Sequence, residues 1–112
     1  GKAVRVTAVS SFDKGTLVRK HRGITTDWYG FACEDAVSGD NVELTIAPYE
    51  FEFIVPSGVT GAFGDILYFD PSNGDIIDGA IEDGDVPFAK VTVAKDSNDV
   101  VWAILLPQLV EW

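Results

Sequence analysis

Residues 64–75 read Gly-Asp-Ile-Leu-Tyr-Phe-Asp-Pro-Ser-Asn-Gly-Asp and contain the clearest structural signal in the chain. The apolar and aromatic residues 66–69 suit the pleated, half-buried surface of a β-strand. The Asp-Pro-Ser-Asn-Gly segment is typical of a turn, and the apolar pair Ile76 and Ile77 follows it. The stretch therefore predicts a β-hairpin, and nothing in it forms a catalytic motif.

In the segments that precede this hairpin, apolar and polar residues alternate with a period of two. Residues 42–46 read Val-Glu-Leu-Thr-Ile and residues 49–53 read Tyr-Glu-Phe-Glu-Phe, which indicates strands with one face in water. Further strands are predicted at residues 4–7, 17–18, 29–33, 86–93 and 100–106, and one helical turn at residues 59–63. The residues expected to be mainly buried are Val42, Leu44, Ile46, Phe51, Phe53, Tyr68, Val91 and Ile104.

Seven to nine short strands, separated by turns rich in Gly, Asp, Asn and Pro, predict an all-β fold. The two candidate architectures are a small antiparallel β-sandwich and a partly closed β-barrel. A length of 112 residues predicts a single domain, residues 1–112, with short terminal arms at about residues 1–3 and 107–112.

The composition limits the class of function. The chain is 46% hydrophobic, which is too apolar for disorder, and no apolar run approaches the roughly 20 residues of a membrane span. The net charge of −10 argues against nucleic-acid binding, because affinity for phosphates comes from Lys and Arg. No signal segment follows Gly1. We expect a soluble protein with neither a nucleic acid nor a membrane as partner.

The basic residues are unevenly distributed along the chain. Six of the eight Lys and Arg residues precede residue 23, and Arg19, Lys20 and Arg22 lie around His21. Solvation of a strand explains any one of these residues by itself. Their segregation in an acidic chain instead indicates a contact with an acidic surface, either of a neighbouring subunit or of another protein.

No catalytic, metal or cofactor site emerges from the residue types. His21 is the only histidine and has no partner at the spacing of a Ser-His-Asp or Cys-His arrangement. Cys33 follows Phe31 and Ala32, so it is predicted to be a small buried hydrophobe. The candidate ligands of a weak calcium site are Asp70, Asp75, Asp78, Glu82, Asp83 and Asp85. They lack the spacing of a calcium loop, and turn formation and solubility are the preferred explanation.

Apolar residues outside the predicted strand core indicate an interaction surface. Trp28 and Tyr29 follow a polar segment, and the chain closes with Leu109, Val110 and Trp112. Exposed aromatic side chains provide a large contact area at low entropic cost. Core packing of Trp28 remains the alternative interpretation.

In the order of its motifs, the chain resembles the capsid decoration proteins of tailed phages, also called capsid cement or head-stabilising proteins. The resemblance extends from about Val4 to Leu106, and the signature Gly-Asp-x-x-Tyr-(Trp/Phe)-Asp is matched at residues 64–70. The other matching segments are residues 4–8, 15–18, 30–32, 36–44, 49–53 and 88–91. This chain differs in having Phe69 where Trp is usual, Pro48 near a usual Gly, and an extension beyond Pro107.

The resemblance implies a non-enzymatic structural protein of the virion. Such a protein is made in the cytoplasm of the bacterial host, binds the outer surface of the assembled head as a homotrimer, and holds the major capsid protein subunits together. It needs no cofactor. The residues assigned to subunit or capsid contacts are Arg19, Lys20, Arg22, Trp28, Tyr29, Leu109, Val110 and Trp112.

Two other classes of function fit parts of the sequence. The first is a small carbohydrate- or ligand-binding β module, with Trp28, Tyr29 and Phe31 as a stacking platform and calcium in the acidic hairpins. The second is an acid-base enzyme that uses Glu50 and Glu52. The second is disfavoured because an i, i+2 pair on this strand is expected to face solvent.

Overall fold

The computed structural model describes residues 3–78 and 84–108 of the chain. In these residues the fold is all-β, with ten strands in two open five-stranded sheets, which confirms the predicted fold class. No described residue is helical, so the helical turn predicted at residues 59–63 is wrong. Accordingly, the described residues contain no helix that is able to span a membrane.

Contacts divide the chain into two compact units. The first unit comprises residues 1–47 and 108–112, and the second unit comprises residues 48–107. Each unit contains one of the two sheets.

The sheet of the first unit has the strand order β1-β5-β4-β2-β3. Its strands are β1 (Ala3–Thr7), β2 (Leu17–Lys20), β3 (Gly23–Ile24), β4 (Gly30–Ala32) and β5 (Asn41–Thr45). All neighbouring strands are antiparallel except β2 and β3, which are parallel. The two edge strands are therefore β1 and β3.

The core of the first unit contains an aliphatic cluster. Val18, Ile24, Val42 and Leu44 are almost completely buried, and Trp28 packs against the cluster that they form. The close approach of β4 and β5 depends on Gly30, because a Cβ atom there would overlap the carbonyl oxygen of Thr45. Glycine is the residue that allows such backbone proximity.

The sheet of the second unit is antiparallel throughout and has the order β6-β10-β9-β7-β8. Its strands are β6 (Glu50–Ile54), β7 (Ile66–Phe69), β8 (Ile76–Asp78), β9 (Val86–Val93) and β10 (Val100–Leu105). Strands β7 and β8 form the predicted hairpin, with Tyr68 opposite Ile77.

The hairpin turn is held by hydrogen bonds to Asp70. The backbone N–H of Asp70 donates to the carbonyl oxygen of Asp75 at 2.8 Å. The backbone N–H and the hydroxyl of Ser72 both donate to Oδ1 of Asp70, at 2.9 and 2.7 Å. Gly74 completes the turn with a φ of 75°, a conformation that glycine adopts without steric cost. The turn residues therefore act as the sequence predicts.

The core of the second unit contains a stacked pair of phenylalanine rings. The ring of Phe88 is completely buried and stacks on Phe69, with the ring centroids 3.8 Å apart. Phe53 tilts against the same ring at 5.9 Å. The pairing of β7 with β9 moves from Ala89 to Pro87 and skips Phe88. This β-bulge explains why the neighbours Phe88 and Ala89 are both buried.

Three of the eight residues expected to be buried, Val42, Leu44 and Val91, are buried. Ile46, Phe51, Phe53 and Tyr68 are only partly buried. The prediction for Ile104 is wrong, because β10 directs Val101, Ala103 and Leu105 inward and leaves Ile104 38% exposed.

The prediction of a buried Cys33 is also wrong. Strand β4 is fully buried, but it ends at Ala32, and Cys33 is exposed just beyond that end. Its sulfur atom lies 3.1 Å from the Thr45 hydroxyl oxygen. Ala32 is therefore buried and Cys33 is exposed, because the strand ends between these two neighbours.

Candidate interaction surfaces

The predicted basic contact residues form a tight turn between β2 and β3, here called the basic turn (residues 19–22). The backbone N–H of Arg19 donates to the carbonyl oxygen of Arg22 at 3.1 Å, and the N–H of Arg22 donates back at 2.8 Å. His21 has a φ of 70°, in the left-handed region that few residues other than glycine adopt. Local backbone bonding therefore places the bases at one end of the first unit's sheet.

The side chains of the basic turn have different surroundings. Arg19 is half-buried, and its Nη1 donates to the Leu17 carbonyl oxygen at 3.1 Å, so it has a structural role as well. Lys20 forms an exposed ion pair with Asp27 at 3.6 Å. Arg22 is exposed. A cavity of about 210 Å³ adjoins the turn and is lined by Lys20, His21, Val9, Ser10, Gly23, Ile24 and Thr25.

Tyr29, predicted to lie on an interaction surface, is instead buried in the first unit. Gln108 holds its backbone from both sides: the Tyr29 N–H donates to Oε1 at 2.9 Å, and Nε2 donates to the Tyr29 carbonyl oxygen at 2.6 Å. Burial raises the pKa of Tyr29 to about 12. Trp28 is half-buried against the aliphatic core. The predicted contacts Leu109, Val110 and Trp112 lie outside the described residues.

The second unit exposes an apolar sheet face that the sequence did not predict. We call it the outer face and define it by Ile54 of β6, Val93 of β9, and Trp102 and Ile104 of β10, which are 37–70% exposed. The strand register places Trp102 between Glu52 and Val93. The odd-numbered and the even-numbered residues of β10 are both apolar. The periodicity of the sequence therefore does not indicate which of the two sets is exposed.

Charged residues surround the outer face. Glu50 and Glu52 lie on the edge strand β6, and the register places Glu50 opposite Ile104 and Ile104 opposite Lys90. The carboxylate of Glu50 is bonded to the Thr92 hydroxyl. The face thus combines an apolar centre with a polar border, which is the usual composition of a protein-binding surface.

A second cavity, of about 450 Å³, lies in the second unit and is lined by Thr60, Ala62, Gly64, Asp65, Ile66, Tyr68 and Asp78. Its two carboxylates accept hydrogen bonds from backbone N–H groups. Asp78 accepts from the N–H of Gly61, and Asp65 accepts from the N–H of Ala62, each at 3.0 Å. Within residues 3–78 and 84–108, no group of three His, Cys, Asp or Glu side chains converges on a possible metal position. Glu82 and Asp83 lie outside these residues.

Comparisons with family models, with curated proteins and with solved structures found no match to this chain.

Proposed function

We propose that this protein is a non-enzymatic capsid decoration protein. In this proposal it binds the outside of an assembled phage head as a homotrimer and stabilises the contacts between subunits of the major capsid protein. Its place is the exterior of the virion, after synthesis in the cytoplasm of the bacterial host. The order of sequence motifs from Val4 to Leu106 suggests this function.

The outer face is the structural observation that carries the proposal. It presents Ile54, Trp102 and Ile104 to solvent together, although burying apolar side chains is favourable. A protein that binds a large assembly needs such a surface, and several weak contacts made at once give high avidity. A protein that binds the assembled lattice but not the free capsid subunits stabilises the lattice by mass action.

The basic turn supplies a second, electrostatic contact in this proposal. Lys20 and Arg22 are exposed in the basic turn of a chain whose net charge is −10. Exposed charges of this kind affect the association rate and its salt dependence more than they affect folding.

The alternative function, a carbohydrate-binding module, loses its main support. Its stacking platform requires accessible rings at Trp28, Tyr29 and Phe31, whereas Tyr29 and Phe31 are about 95% buried. A sugar stacks on an exposed ring face, and two of the three rings do not offer one.

The test uses undecorated heads of the phage whose genome encodes this chain. We expect Arg19→Ser/Lys20→Ser/Arg22→Ser to bind heads roughly ten-fold more weakly, since exposed charge contacts contribute about 0–1 kcal/mol each. Raised salt should have the same effect. Because Arg19 also bonds to Leu17, Lys20→Ser/Arg22→Ser is the second variant. Lys14→Ser, an exposed lysine outside the turn, is the control. Wild-type protein that does not bind heads would refute the proposed function.

A further inference from the structure

Each sheet has two edge strands, and one edge of the first sheet has residues complementary to one edge of the second sheet. Strand β1 is an edge of the first unit's sheet, and β6 is an edge of the second unit's sheet. An open edge presents unpaired N–H and C=O groups that are able to bind another strand. We propose that β1 of one copy of this chain pairs with β6 of a second copy.

The backbone groups of β6 that point outward belong to Glu50, Glu52 and Ile54. The Val55 N–H donates to the Asp99 carbonyl oxygen at 2.9 Å, and the Leu105 N–H donates to the Tyr49 carbonyl oxygen at 3.3 Å. These bonds show that the odd-numbered residues of β6 are the ones hydrogen-bonded to β10, since bonded residues alternate along an antiparallel strand. The even-numbered residues therefore direct their N–H and C=O groups away from the sheet.

The same reasoning identifies the open groups of β1. The Ala8 N–H donates to the Asp40 carbonyl oxygen at 2.8 Å, in register with the pairing of β1 and β5. The even-numbered residues are thus bonded to β5, and Ala3, Arg5 and Thr7 direct their backbone groups outward. Each edge consequently offers three residues for pairing, and all six are exposed.

An antiparallel pairing that uses all six residues places Ala3 opposite Ile54, Arg5 opposite Glu52, and Thr7 opposite Glu50. A shift by two residues in either direction loses one of the three pairs. One such shift also places Thr7 opposite Pro48, which has no N–H to donate. The register with the most backbone bonds is therefore also the one that joins Arg5 to Glu52.

The side chains are complementary on both faces in this register. Arg5 already forms an ion pair with Glu43 of β5 at 3.2 Å, and it would lie between that carboxylate and Glu52 of the other copy. On the opposite face, Val4 and Val6 come opposite Phe53 and Phe51, which are partly buried. Cross-strand pairs of opposite charge and of aromatic with β-branched residues stabilise sheets.

The edge charges also select against the alternative pairings. Pairing of two β6 strands would bring Glu50 and Glu52 close to the same two glutamates of the second copy. Pairing of two β1 strands would bring Arg5 close to Arg5 of the second copy. Like charges disfavour both self-pairings, so β1 with β6 is the preferred combination. Such a contact is head-to-tail and forms a closed ring when its rotation closes. The homotrimer proposed above is one such ring, but the contact requires no capsid.

The experiment is cysteine cross-linking between two singly substituted proteins, both with Cys33→Ser. In the proposed register, Ala3→Cys and Ile54→Cys lie roughly 5.5 Å apart between Cα atoms, within the range of a disulfide. We expect mixed protein to form that heterodimer under mild oxidation. Ala3→Cys with Glu50→Cys is the control, because in this register these residues are separated by four positions, roughly 13 Å along the strand.

The mass of the isolated protein in solution provides a second measurement. Glu52→Lys should weaken self-association roughly ten-fold, whereas Glu34→Lys, the same charge change away from both edges, should not. A monomer at all concentrations, or faster cross-linking of Ala3 with Glu50 than with Ile54, would overturn the proposal. Because neither assay contains capsids, failure here is distinct from failure to bind heads.

Discussion

The two units share an architecture and differ in chemistry. Residues 1–47 contain six basic and six acidic residues, whereas residues 48–107 contain two lysines and eleven carboxylates. Both units nevertheless form an open five-stranded sheet. A five-stranded sheet therefore forms both with balanced charge and with an excess of negative charge. Because the two units differ in charge, they attract partners of different charge.

The cores differ as well. The core of the first unit contains an aliphatic cluster and the buried rings of Tyr29 and Phe31, whereas the core of the second unit stacks two phenylalanine rings among aliphatic side chains. An aromatic ring removes more apolar surface from water than a branched aliphatic side chain. Loss of the stacked Phe88 ring is therefore expected to cost more than loss of a buried aliphatic side chain.

The sharpest test of this difference is truncation of one central side chain in each unit. We expect Phe88→Ala to lower the free energy of unfolding by about 3–5 kcal/mol, and Leu44→Ala by about 2–5 kcal/mol, with Phe88 the larger. Phe88 loses its stack on Phe69 in addition to its burial. Chemical denaturation measures both.

Val93→Ala is the control for these truncations, since Val93 is 51% exposed and its loss should cost less than about 1 kcal/mol. A cost of Leu44→Ala clearly above that of Phe88→Ala would show that the stacked ring is not the more sensitive position.

A smaller effect is expected at alkaline pH in the first unit. The folded pKa of Tyr29, about 12, lies above its ordinary value of 10, because burial disfavours the tyrosinate. The stability that depends on neutral Tyr29 is present below pH 10 and is lost as the pH rises through 12. Tyr29→Phe should therefore remove part of the fall in thermal midpoint between pH 10 and 12.

Tyr49→Phe is the matched control, because Tyr49 is 52% exposed in the second unit. If both variants keep the alkaline fall of the wild type, the buried Tyr29 ring does not control this transition.

The smallest effect is expected at acidic pH in the second unit. Hydrogen bonds from the side chain and the backbone of Ser72 lower the pKa of Asp70. This contribution is present above the unfolded pKa of about 3.9 and is lost as the pH falls through the lower folded value. Asp70→Ala should thus reduce the thermal midpoint slightly at pH 7, and the difference from wild type should vanish in acid.

Asp70→Asn keeps an oxygen that accepts from Ser72, so it should show a smaller deficit at pH 7 than Asp70→Ala. A deficit of Asp70→Ala that stays constant down to pH 2 would mean that the charge of Asp70 contributes nothing to the turn.

The local pattern predicted most of the secondary structure. The hairpin of β7 and β8 follows from its turn residues, and the alternation in β5 identifies Val42 and Leu44 as core. The basic turn was also visible as a cluster of charges. These features depend on neighbours in sequence, and a period of two or a Pro-Ser-Asn-Gly segment records them directly.

The inward and outward faces of β10 were not predictable in the same way. Trp102 and Ile104 face solvent while Val101 and Ala103 are buried, although all four are apolar. Which set faces the core depends on the strands on either side, β6 and β9, and on the bulge that shifts their register. The outer face, the main candidate surface, was missed for this reason.

What residue order alone determined is the all-β class, the hairpin, the charge segregation and the two alternating strands at residues 42–46 and 49–53, because each reflects steric and solvation preferences over a few residues. Tertiary packing decided the burial of Tyr29 and the exposure of Ile104. Tyr29 is fixed by Gln108, 79 residues away, and no local periodicity encodes such a contact. Burial is a property of the whole packed chain, since the surface that covers a side chain comes from distant segments brought together by folding.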